Sequence, residues 1–131
     1  PLIIITGDPC VGKSTLATSL HSISLKSQHT VTITNHSVLV GSGPWVNESA
    51  SHSTIKSLYS TPGDEKACRQ RVKDLVEKYL TSSTMVIVDC NNYIKGYRYE
   101  LYCVARSLST KSCCVWCSAE DGVADGWDEG R

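Results

Sequence analysis

Gly7-Asp8-Pro9-Cys10-Val11-Gly12-Lys13-Ser14 fits the pattern G-x-x-x-x-G-K-[ST] at every fixed position, and its reading decides the fold. Glycines in such a run let successive backbone N–H groups turn inward around an anion, because no Cβ obstructs the approach. A helix starting directly behind the run adds the positive end of its dipole, and Lys13 adds a point charge suited to β- and γ-phosphates. Ser14 is then the expected magnesium ligand, with Thr15 a candidate contact to the α-phosphate. The stretch Gly7, Asp8, Pro9, Cys10, Val11, Gly12, Lys13, Ser14 and Thr15 is therefore expected to bind the phosphates of ATP or GTP with magnesium. Gly12 is expected where bulk would intrude. Asp8 should point outward, since an inward carboxylate would repel phosphate.

The flanks suit this reading. Leu2 to Ile5 is a β-branched and leucine run ended by glycine, which predicts a strand buried on both faces of a parallel sheet. From Lys13 to about Lys26, Leu16, Leu20 and Ile23 recur at helical spacing. Val31 to Ile33 predicts a short second strand, and Gly41 to Ser60, rich in Ser, Gly, Asn and His, reads mostly as loop. Thr61-Pro62-Gly63-Asp64 reads as a helix start with a threonine cap and proline in the first turn. Cys68, Val72, Leu75, Val76 and Tyr79 mark the inward face of that helix. Met85 to Val88 is a third buried strand whose carboxyl end presents Asp89. A further helix is expected from Tyr97 to about Leu108, with Leu101, Tyr102, Ala105 and Leu108 inward, then a strand over Cys113 to Cys117. Alternation of strands and helices predicts an α/β, doubly wound, mostly parallel sheet of the P-loop NTPase or kinase type, in three layers.

Composition narrows the class. Apolar residues make up 40% and charged residues 20%, and no apolar run approaches the roughly 20 residues of a membrane span, so no membrane role is expected. The first residues do not resemble a signal peptide. Seven cysteines, an odd number spread over predicted strands and helices, suit reduced thiols, with the cytoplasm as default location and the nucleus as a second one. Formal net charge is zero, yet Lys66 to Lys111 holds nine basic and four acidic residues, whereas Ser118 to Arg131 holds one and five. That asymmetry is compatible with a polyanion-facing side or with an ordinary solvated helix face.

Asp89 fits the second requirement of phosphate chemistry, an acid at the end of a buried strand that can hold magnesium through water. Asn35, His36 and Ser37 occupy the end of the second strand; His36 is a candidate base and Glu48 a weaker one. Arg69, Arg71, Lys95 and Arg98 are candidates to reach the γ-phosphate or an acceptor, with Lys13, Asp89 and Arg69 the expected catalytic set. Cys113, Cys114 and Cys117 resemble a metal cluster only superficially; buried thiols are the expectation, because alternate strand residues face apart.

The run Val88-Asp89-Cys90-Asn91-Asn92-Tyr93-Ile94-Lys95-Gly96-Tyr97-Arg98-Tyr99-Glu100-Leu101-Tyr102-Cys103 resembles the Elongator-associated killer-toxin-insensitivity factor family. Pro1 to Gly7, the loop with Pro9, and the Glu65-Lys66 to Arg69 pattern match it as well, so the resemblance covers most of the chain. It implies a P-loop ATPase that associates with the Elongator complex and supports wobble-uridine modification of tRNA. It also implies kinship with the kinase acting on seryl-tRNA for selenocysteine. By position the family's loop falls on Gly7 to Thr15, its strand-end acid on Asp89 and its helix arginine on Arg69. Residues 1–131 would form the nucleotide-binding domain, with the family's C-terminal tRNA-binding part and last sheet strand lying outside them, and a monomer in isolation. Asn35 and His36 stand where the family has an acidic pair. Ser118 to Arg131 is expected as part of a lid, with Arg131 a charge donor. Kinase activity toward a hydroxyl of tRNA or a small molecule, and a nucleotide-dependent adaptor with negligible turnover, are the alternatives.

Overall fold

On the first strand Leu2 and Ile4 point to one side and Ile3 and Ile5 to the other, and all four are apolar, so a layer must cover each face. A computed structural model describes residues 1–7, 11–35, 37–47, 62–90 and 92–118 and shows how this is met. Its elements run β1 (Leu2–Gly7), α1 (Lys13–Ser24), β2 (His29–Thr34), β3 (Ser37–Val40), β4 (Trp45–Asn47), α2 (Pro62–Tyr79), β5 (Thr84–Asp89), α3 (Lys95–Ser107) and β6 (Ser112–Cys117). The sheet has the order β4-β3-β2-β5-β1-β6. Strands β2, β5, β1 and β6 are mutually parallel, and β3 and β4 extend the β2 edge as antiparallel strands.

One face carries the larger core, in which Leu2, Ile4, Val31, Ile33, Val86 and Val88 meet Val72 and Val76 of α2 and Leu101 and Ala105 of α3. The opposite face packs Ile3, Ile5, Met85 and Ile87 against Leu16, Ala17 and Leu20 of α1. This is the expected three-layer α/β sandwich. On the α1 face β2 contributes Thr30, Thr32 and Thr34 in place of aliphatics, and this polar strip shapes the site described below.

Local readings are corrected in several places. The second strand runs six residues, His29–Thr34, beyond the expected three. β3 and the three-residue β4 form a hairpin that Ser, Gly and Asn composition concealed. In α1, Ile23 is 63% exposed, whereas His21 is buried, because the inward row continues from Ala17 by four residues. In α3, Tyr102 and Leu108 are both exposed, and the buried row is Tyr97, Leu101, Val104 and Ala105. Cys113 and Cys114 are exposed on the edge strand β6, not buried, because the described residues supply no cover for them. The threonine cap at Thr61 lies outside the described residues.

Candidate functional site

The first helix leaves β1 and returns through β2, while β5 returns through α3 to β6, so the crossovers diverge between β1 and β5. A crevice opens there at the strands' carboxyl ends, where ligands of such sheets bind. Gly7 closes β1 with φ 139°, and a Cβ at this position would lie 2.0 Å from the carbonyl oxygen of Cys117. Only glycine lets the edge strand run this close. Gly12 caps α1 with φ 89° and ψ 26°, a left-handed conformation. Its left-handed backbone is by itself a reason for glycine, and among the described residues no non-neighbouring atom lies within 4 Å of a Cβ built there.

The N-terminus of α1 has no side-chain cap and no acidic residue in its first turn. Its first N–H groups therefore face outward with the positive end of the helix dipole, as an anion site requires. Lys13 Nζ donates to the Gly7 carbonyl at 3.0 Å, which holds the ammonium over the loop. Asp89 lies level with Ile5 on one neighbouring strand and Thr34 on the other. Burial holds its carboxyl above the usual carboxylate range, against the pull of a hydrogen bond from Ser14 and the charge of Lys13. Lys13, Ser14 and Asp89 thus converge. A serine hydroxyl and a carboxylate are hard oxygen donors, and Mg²⁺ held with a nucleotide takes only one or two protein ligands, so the pair fits that ion. Among the described residues no cluster of three or more His, Cys, Asp or Glu could hold a metal by itself.

Asn92, buried to 1% exposure, fixes these parts relative to one another. Its Nδ2 donates to the carbonyls of Ile5 at 2.8 Å and Val88 at 3.2 Å, one near the end of each central strand. Its own carbonyl accepts from Thr6 Oγ1 at 3.1 Å and from Arg98 Nη1 at 2.7 Å. Sequence reasoning gave Asn92 no role; a lone asparagine after a strand reads as a turn, and its only signal was membership of the long resemblance run.

The arginines are placed elsewhere. Arg71 donates to the carbonyls of Asn35 and, at 3.4 Å, Thr34, so its guanidinium ties α2 to the end of β2. Arg98 serves Asn92, and Lys95 is exposed at the start of α3. Arg69 pairs with Glu65 at 3.9 Å on the rim of a small pocket that is also lined by Cys68, Cys90, Tyr93 and Tyr97. That cavity is not shared with Lys13, Ser14 or Asp89, so the structure does not bring Arg69 together with them. Burial pushes the Cys90 thiol well up, which makes it a poor nucleophile. Asp8, Pro9, Cys10, His36, Glu48 and Arg131 lie outside the described residues.

A second opening, broad and open to solvent, adjoins Ser14 and Asp89. Thr18, Thr32, Thr34 and Ser37 line it, and Trp45, 47% exposed, stands at its margin. Its back wall rests on His21, whose Nε2 meets the Gly41 carbonyl and whose Nδ1 meets Thr32 Oγ1, each at 2.7 Å. A carbonyl can only accept, so in neutral His21 the proton sits on Nε2 and Nδ1 accepts from the Thr32 hydroxyl.

Glycine cradle, helix terminus, lysine and strand-end acid on a parallel α/β sheet define the P-loop class of nucleotide-binding folds. The model of the family described as chromatin associated protein KTI12 matches residues 1–131. The chain belongs to the KTI12 family. It is 32% identical to the KTI12 homologue of Arabidopsis thaliana over 130 residues, which are 99% of this chain and 40% of that protein. With KTI12 of Saccharomyces cerevisiae it shares 38% identity over 117 residues, 88% of this chain and 35% of the other. The chain therefore spans less than half the length of these relatives. The crystal structure of Chaetomium thermophilum Kti12 in complex with ADP-AlF3 superposes with a TM-score of 0.73 at 27% identity, covering 99% of this chain and 66% of that one. An APS kinase from Mycobacterium tuberculosis, in complex with AMPPNP and APS, shares the fold at a TM-score of 0.68 and 14% identity, covering 97% of this chain and 67% of that one.

Proposed function

We propose that this chain is the ATP-hydrolysing domain of an Elongator-associated factor that supports wobble-uridine modification of tRNA, working with magnesium. The observation that carries the catalytic part is the convergence of Lys13, Ser14 and Asp89 where β1 hands over to α1 and β5 ends. The ADP-AlF3 complex of the Chaetomium relative supports an adenine nucleotide. Elongator and tRNA enter through the resemblance of Val88 to Cys103.

The chain's own residues then have distinct tasks. First-turn N–H groups of α1 bind phosphate oxygens and fix their position. Lys13 exchanges the Gly7 carbonyl for phosphate oxygens and offsets their negative charge. Ser14 and Asp89 would hold magnesium, which supplies charge neutralisation on the phosphates when bound. Asn92 keeps the ends of β1 and β5 at fixed separation, so that Asp89 and the phosphate cradle stay aligned.

The test is phosphate release by the full-length protein with ATP, with and without magnesium, tRNA and Elongator. Magnesium-dependent release that tRNA accelerates is expected. Absence of release under every combination, with ATP tightly bound, would replace the hydrolase by an adaptor, and label moving to an acceptor hydroxyl would replace it by a kinase.

A further inference from the structure

Three elements of the fold meet at residue 92, and they meet on its main-chain carbonyl. That carbonyl accepts from Arg98 Nη1 of α3 at 2.7 Å and from Thr6 Oγ1 of β1 at 3.1 Å. A carbonyl oxygen has two lone pairs, so the two donors use its whole capacity. Thr6 is buried and Arg98 half-buried, which limits competition from water. The arginine bond is charge-assisted and the shorter of the two, which makes it the stronger hold.

What these donors fix is the side-chain amide of the same residue. Asn92 Nδ2 donates to Val88, which precedes Asp89, and to Ile5, which stands level with Asp89 on β1. Asp89 therefore keeps its place only as long as Asn92 keeps its own. The glycine run follows β1 in the chain, so its position is set by β1 itself. Arg98 also reaches the edge strand: burial raises the Cys114 thiol, and the charge of Arg98 pulls it back. The guanidinium is thus engaged by the frame, at the Asn92 carbonyl and beside β6.

From this geometry we infer that Arg98 and Thr6 are positioning residues: by clamping one carbonyl from α3 and from β1, they keep Asp89 aligned with the phosphate site. The inference rests on the nucleotide reading of Gly7 to Thr15. It gives neither residue a contact with phosphate, and this sets its signature. Loosening the clamp misplaces Asp89, and with it the magnesium that Asp89 and Ser14 would hold. The phosphates stay bound by Lys13 and the first turn of α1.

The experiment is equilibrium dialysis of labelled ATP against the full-length protein, without magnesium and with magnesium in excess. Wild type should bind more tightly with the metal. Arg98→Met and Thr6→Val should each cut that gain about fivefold, the worth of one hydrogen bond, and leave metal-free affinity within about twofold. Arg98→Lys and Thr6→Ser, which keep a donor, should restore most of the loss. The double variant Thr6→Val/Arg98→Met should depart from the product of the single effects by at least about twofold, because both act through one acceptor. Equal losses with and without magnesium in Arg98→Met would make Arg98 a phosphate contact or a merely structural residue and overturn the inference. No loss in either variant, or strictly multiplicative effects, would overturn it as well. Should Arg98→Met fail to fold, Thr6→Val against Thr6→Ser decides. If wild type binds no ATP, or binds it equally without the metal, the nucleotide reading fails by itself and amide exchange judges the clamp. Arg98→Met and Thr6→Val should then both speed exchange at Val88 and Asp89, and unchanged exchange would overturn the inference.

Discussion

The side-chain amide of Asn92 donates to the carbonyl oxygen of Ile5 at 2.8 Å, across 87 residues of sequence. Ile5 stands level with Asp89 on the neighbouring strand, so this one contact spans the two halves of the crevice. Replacing it by Asn92→Leu keeps similar bulk and leaves two strand-end carbonyls, of Ile5 and Val88, without their donor. The expected cost is about 2–3 kcal/mol, read as a lower urea midpoint with unchanged slope. ATP affinity should fall with it, because the cradle and Asp89 lose their common anchor.

Lys13→Ala removes a charge-assisted contact to phosphate worth about 1.5–3 kcal/mol, so ATP affinity should drop on the order of 10- to 100-fold. The nucleotide-free protein also loses the part-buried bond to the Gly7 carbonyl and the positive charge beside Asp89, so its stability is measured separately. Equilibrium dialysis with labelled ATP and a parallel thermal melt separate the two. Unchanged affinity would contradict the placement of the phosphates.

Gly7 and Gly12 should answer differently to alanine. At Gly7 the new methyl would overlap the Cys117 carbonyl, for an expected loss of about 3 kcal/mol or more and detachment of the β6 edge. At Gly12 the left-handed backbone is the cost, and the described residues leave room for a methyl, so the loss should be about 1–2 kcal/mol. Denaturant midpoints of the two variants check the order.

Asp89 gives a pH dependence whose sign is fixed by burial. Its folded pKa lies above the ordinary value of 3.8, so the folded state holds the proton more firmly than the unfolded chain does. Stability from this group is therefore present in acid and declines as pH rises from the ordinary value through the raised one. Asp89→Asn, which cannot ionise, should melt higher than wild type at neutral pH without magnesium, and the gain should shrink in acid. Magnesium with ATP should stabilise wild type and lose that effect in the variant.

His21→Leu keeps the buried volume near constant but strands the Gly41 carbonyl and frees the Thr32 proton. About 2 kcal/mol of stability should be lost, with faster amide exchange in the β2–β3 hairpin.

Most of the sheet, and the glycine-to-helix turn that follows β1, were legible because their signals are local. Leu2 to Ile5 and Met85 to Val88 are apolar on both faces, which only a doubly covered strand requires, and the glycines and Lys13 stand at fixed spacing. The less legible parts depend on partners distant in sequence. His21 turns inward only because Thr32 and the Gly41 carbonyl satisfy it, whereas Ile23 is more apolar and points outward. The β3–β4 hairpin is too short to show a period and borrows its order from β2. Arg71 looks like a free helix cation until the carbonyls of Thr34 and Asn35 are placed beside it.

The close approach of Gly7 to Cys117 makes the last described strand a floor beneath the phosphate cradle. Whatever the remainder of the polypeptide does to lift or seat that strand is transmitted to the bend through bare main chain, with no side chain to absorb the movement. A shift of β6 is thereby a shift of the bend that ends β1, and the Cys117 sulfur, half-buried at that joint, is a native position for a probe that reports it.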